Sequence, residues 1–139
     1  MRTLEKRSAQ MSLEMQSLSK QVILDRLHFV EQQIDFILET TKDVHIYQDF
    51  MTSLDRVVLF NSTCMCLQTI GETIKKIDDY TKGKLFSQYP GTPWKKVIGM
   101  RNIISHEYMS VDPQIIFETV KKQMIPLLDS IHEVIKDFQ

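Results

Sequence analysis

Ser19 to Lys42, SKQVILDRLHFVEQQIDFILETTK, sets the architecture. Ile23, Leu27, Val30, Ile34, Ile37 and Thr41 recur at alternating spacings of four and three, which puts them on one stripe of an α-helix. A second helix is expected from about Thr52, a plausible N-cap, to Tyr80. Its apolar residues, among them Leu54, Val58, Phe60, Met65, Leu67, Ile70, Ile74 and Ile77, cover more than one face. Such a helix is central to a bundle or is buried on a second side by another subunit. Gly71 in its middle costs about 1 kcal/mol against alanine, and the compensation expected is close approach of a neighbouring backbone. Breaks follow at Thr81–Lys84 and Tyr89–Gly91. Thr92-Pro93 then reads as an N-cap followed by a proline at the first helical position, opening a helix that carries Trp94 and Val97 and ends near Met109. Asp112-Pro113 is a second start of this kind, for a last helix toward Phe138 that Pro126 kinks or divides. No segment alternates as a strand does. The fold class is therefore all-α, an up-and-down bundle of four to five helices spanning 19–139, with residues 1–18 as a polar N-terminal extension.

A chain of 139 residues forms one domain, burying roughly two thirds of its unfolded surface. With 42% apolar and 25% charged residues it has a globular composition. A net charge of −1 excludes a polycation that binds nucleic acid along its whole surface, but charge is unevenly spread. From Lys75 to Arg101 seven basic residues stand against two acidic ones, a local +5 that can attract phosphates. No apolar run is long enough to span a membrane and the N-terminus lacks a secretory core, so a cytoplasmic location is expected. Cys64 and Cys66 point about 200° apart on a helix and read as small buried hydrophobes rather than a bridge or a chelate.

The basic segment runs into Arg101-Asn102-Ile103-Ile104-Ser105-His106-Glu107-Tyr108. Arg101 can hold a phosphate through its planar fork, and His106 titrates near neutrality and can move a proton. Those are the groups that RNA cleavage without a metal requires. A ribose 2′-hydroxyl attacks the adjacent phosphorus as a base removes its proton; His106 could be that base or could protonate the leaving 5′-oxygen. Arg101 would neutralise the phosphorane, and Asn102 could orient the imidazole. Metal-ligand spacing is absent nearby, so no metal or other cofactor is called for. At about 100° per residue, Arg101 and Tyr108 share a stripe while Arg101 and His106 diverge by about 140°. A long arginine reach, a distorted helix or a two-fold axis bringing a second copy opposite would each reconcile them. The last suits the wide apolar coverage of the second helix. The competing possibility is plain helix surface, with Arg101 paired to Glu107 or Asp112.

At these residues the chain resembles the HepT-type toxins of the HEPN ribonuclease superfamily, whose signature R-x4-H-x-Y is matched by Arg101, His106 and Tyr108. Tyr89–Met100, with its proline, tryptophan and Gly-Met pair, Val111-Asp112 after the motif and Leu67–Glu72 containing Ile-Gly-Glu extend the likeness in order. The N-terminal extension is longer than usual. The resemblance implies a HEPN-like homodimer, the toxin of a toxin–antitoxin pair, with two motifs facing across an RNA-cleaving cleft. It also implies an MntA-type nucleotidyltransferase antitoxin that transfers AMP from ATP to Tyr108, adding bulk and charge beside Arg101. Lys84, Lys95 and Lys96 are candidates to follow an RNA backbone such as tRNA or mRNA. A function of a different class is a non-catalytic helical partner or substrate-binding subunit of a nucleotidyltransferase. His28, His45 and His132 have no ligand partners at useful spacing, and Trp94 reads as a plug in the bundle or dimer seam.

Overall fold

The computed structural model describes residues 2–103 and 111–139, with side chains described at Lys6 and from Ser19 onward. Its four α-helices are α1 (Arg2–Thr40), α2 (Leu54–Tyr80), α3 (Trp94–Gly99) and α4 (Pro113–Phe138), joined by short 3-10 turns at Tyr47–Met51, Phe86–Gln88 and Met100–Asn102. No strand occurs among the described residues. The architecture is the all-α helical bundle that the periodicity predicts.

The stripe of α1 is the centre of the core. Ile23, Leu27, Val30, Ile34, Ile37 and Thr41 are all buried, and the Thr41 hydroxyl is satisfied by the Ile37 carbonyl at 2.7 Å. Against them pack Leu67, Ile70, Ile74 and Ile77 of α2 and Ile116, Met124 and Ile131 of α4, all fully buried. α1 and α2 are antiparallel: Tyr80 at the end of α2 donates to Ser19 at 2.9 Å. Lys20 lies over the ring of Phe138 at the end of α4. From that level α1 continues to Arg2, so the backbone of the polar extension is helical in one piece with the first bundle helix.

Three local expectations change. Ser53, not Thr52, caps α2, because Ser53 is the residue in extended geometry and its side chain accepts from the Arg56 N–H at 3.2 Å. The Thr52 hydroxyl instead donates to the Asp49 carbonyl. Thr92 does not cap α3 with its side chain; Pro93 is the N-cap and the Thr92 hydroxyl pairs with Ser130 of α4 at 2.7 Å. Pro126 does not divide the last helix, which runs unbroken with Asp112 accepting from the Gln114 N–H at its start. The break after α2 is tight: Lys82 and Gly83 both have positive φ, and the Gly83 N–H returns to the Asp78 carbonyl at 2.8 Å.

Candidate active site

Gly71 fixes where the motif begins. A Cβ built on it would lie 2.5 Å from the backbone nitrogen of Arg101, and 3.1 Å from both the Ile98 carbonyl oxygen and the Met100 carbonyl carbon. The close approach expected at Gly71 is therefore real, and the backbone that makes it is that of the motif. A side chain in the middle of α2 would push Arg101 away.

The helix that carries the motif changes character there. α3 ends at Gly99, and Met100–Asn102 wind as a 3-10 turn closed by the Ile103 N–H on the Met100 carbonyl at 3.1 Å. Angular counting at 100° per residue assumes a uniform α-helix, and a 3-10 turn advances about 120° per residue instead. A distortion thus occurs at Arg101 itself. His106, Tyr108 and the expected helix end near Met109 lie outside the described residues.

Arg101 is half-buried and Asn102 is exposed. Lys84, Lys95 and Lys96 are exposed, and none of them, nor Arg101, forms an ion pair with another described residue. Lys75 differs, being held by Asp79 at 2.8 Å. Trp94 packs within its own chain: it stacks on Phe86 with centroids 4.1 Å apart and donates its indole N–H to the Tyr89 carbonyl at 2.9 Å. The Tyr89 hydroxyl in turn donates to Asp137, and burial together with that carboxylate pushes the phenol up to about 12. This chain of contacts anchors the loop before α3 to the end of α4. Among the described residues no cluster of three or more His, Cys, Asp or Glu is placed to hold a metal ion. His28 and His132 nevertheless share a partner, Glu31, at 3.5 Å and 2.9 Å, an α1–α4 tie that sequence spacing could not reveal.

A sequence model of the family described as Ribonuclease HepT-like matches residues 30–135. The chain belongs to this HepT-like family. Among curated relatives, "Putative RNase MJ0125" of Methanocaldococcus jannaschii is 30% identical over 81% of this chain and 90% of its own length. "Putative RNase TTE0752" of Caldanaerobacter subterraneus is 29% identical over 79% and 91%. "Probable ribonuclease HepT" of Thermococcus cleftensis is 30% identical over 81% and 94%. No solved structure matches. The family match spans both Gly71 and Arg101, which the structure brings into contact.

The wide apolar coverage of α2 has a counterpart on α1 that sequence inspection missed. Val22, Phe29 and Phe36 are exposed on α1 at intervals of seven, beside exposed Leu54, Val58 and Met65 of α2. A groove between the helices is lined by Phe29, Val58 and Met65 with the polar Gln33, Asn61 and Ser62. The heptad interval was the available signal, masked by the stronger buried stripe next to it. Gly71 lies about 120° round α2 from Met65.

Proposed function

We propose that the chain is a metal-independent endoribonuclease whose active site is built on Arg101 and His106. The observation that carries this reading is the seating of the Arg101 backbone on Gly71 in a chain of the HepT-like family. Arg101 neutralises the phosphorane, and Asn102 orients the imidazole or donates to a phosphate oxygen. The 2′-oxygen forms a bond to phosphorus as the P–O5′ bond breaks. One His106 takes the 2′-proton, and another, from a second copy, protonates the 5′-oxygen. The products are a 2′,3′-cyclic phosphate and a 5′-hydroxyl. Lys84, Lys95 and Lys96, all exposed, attract the RNA backbone.

The second copy has a natural seat. Val22, Phe29, Phe36, Leu54, Val58 and Met65 together form an exposed apolar face of the kind a homodimer covers. Regulation falls to a nucleotidyltransferase antitoxin. The Tyr108 oxygen attacks the α-phosphorus of ATP, an O–P bond forms and pyrophosphate leaves. The added phosphate then occupies the field of Arg101 and excludes RNA. The chain is in this account the toxin of a cytoplasmic pair.

Purified protein incubated with RNA in excess EDTA tests the chemistry. Fragments ending in 2′,3′-cyclic phosphate are expected, and a single 2′-deoxy substitution at the cut should protect the strand. Cutting that EDTA abolishes, or that proceeds through the deoxy position, would contradict the mechanism. Mass spectrometry after co-expression with the antitoxin tests regulation: a mass increase of one AMP on Tyr108 is expected. An unmodified tyrosine in a neutralised complex excludes that route.

A further inference from the structure

A cavity of about 180 Å³ opens between the start of α3 and the middle of α4. Its floor is buried Val97, Met100, Met124 and Leu127, and Pro93 and Pro126 stand at its walls. At ~30 Å³ each it equals about six water volumes. It is well short of the ~300 Å³ and upward that enclose a drug-sized ligand. One heterocyclic ring system fits; a whole nucleotide does not. Met100, on the floor, immediately precedes Arg101 in the chain.

The polar groups of the cavity have a definite sense. Ser130 donates its only hydroxyl proton to the Pro126 carbonyl at 3.0 Å. The proton in the 2.7 Å contact between Thr92 and Ser130 is therefore supplied by Thr92. Both hydroxyl protons are thus used inside the protein, and the Thr92 oxygen keeps its lone pairs. Pro126 has no N–H to offer the carbonyl of Lys122, four residues earlier, and Lys122 also lines the cavity. The Thr92 oxygen and the Lys122 carbonyl are thus the acceptors of the wall, beside the Gln123 amide of either sense and the ammonium of the exposed Lys122.

We propose that this cavity is a nucleobase subsite that takes an unstacked base next to the phosphate at Arg101 and favours bases with an exocyclic amine. Adenine and cytosine present that donor; uracil presents carbonyls to the same wall. Sequence-specific RNA recognition commonly works on splayed bases in this way. The inference rests on the reading of the chain as an RNA-acting enzyme, and its test is kept separate from cleavage.

Oligonucleotides that are 2′-O-methylated throughout cannot be cut, so they report binding alone. Hexamers of A, C and U are titrated into protein labelled at the methionine methyl groups. The A and C hexamers are expected to bind about tenfold tighter than the U hexamer, the value of one hydrogen bond. They should also shift the Met100 and Met124 methyl resonances. Thr92→Val, which keeps the volume and removes the hydroxyl, should bring the A-to-U ratio toward one. Equal binding of the three hexamers, a ratio unchanged in Thr92→Val, or methyl signals that do not move would overturn the proposal. Cleavage of unmodified RNA is measured in parallel. Cutting without base preference removes the subsite and leaves the ribonuclease; preference without cutting does the reverse.

Discussion

Gly71 sets two opposed effects against each other. Alanine there gains about 1 kcal/mol of helix propensity, but its Cβ would lie 2.5 Å from the Arg101 nitrogen, a backbone atom that cannot rotate away. Overpacking of this kind costs roughly 1–3 kcal/mol, so the clash wins or the motif shifts. Gly71→Ala is expected to lower the melting temperature by several degrees, or to hold it and lose most RNA cleavage through displacement of Arg101. Thermal denaturation and a cleavage assay on the same sample check this, and a variant unchanged in both would refute the contact. At the same scale, burial pushes the Cys64 thiol up to about 12 and raises Cys66 as well. Folded protein at pH 8 should alkylate with iodoacetamide far more slowly than protein in denaturant, as counted by mass spectrometry.

Elements show which parts of this fold are legible in a one-dimensional pattern. The stripe from Ile23 to Thr41 is buried at every position, because a 3.6-residue period is a property of the chain itself. Asp112-Pro113 and the burial of both cysteines follow from equally local rules. Thr92 defeats such a rule: its hydroxyl has a choice of partners, and Ser130, thirty-eight residues away, takes it. The turn at Met100–Asn102 is hidden for the same reason, since it arises where α3 meets Gly71 rather than from any helix breaker in its own sequence. The apolar face of α1 and α2 belongs to this scale too. Met65→Glu, at a position 63% exposed, should leave the helical circular dichroism intact and convert a dimer to a monomer by light scattering. A dimer that survives both Met65→Glu and Phe29→Glu would place the second copy elsewhere.

For the whole molecule, the bundle is a frame that holds one short segment in place. α2 supplies the notch at Gly71, α4 and Tyr89 anchor the loop before α3, and Lys84, Lys95 and Lys96 are exposed. What the sequence alone could suggest was a chemistry for Arg101 and His106; what it could not was that residue 71 lies against residue 101, a contact between distant parts of the chain. The ribonuclease assignment stands or falls on those two side chains. The direct measurement is the cleavage rate of a single-site RNA by wild type, Arg101→Ala and His106→Ala, with helicity and oligomeric state recorded for each. Removal of a positioned proton-transfer or charge-stabilising group is expected to lower the rate by at least about 100-fold, with both structural readouts unchanged. Cleavage at the wild-type rate by either variant would contradict the account.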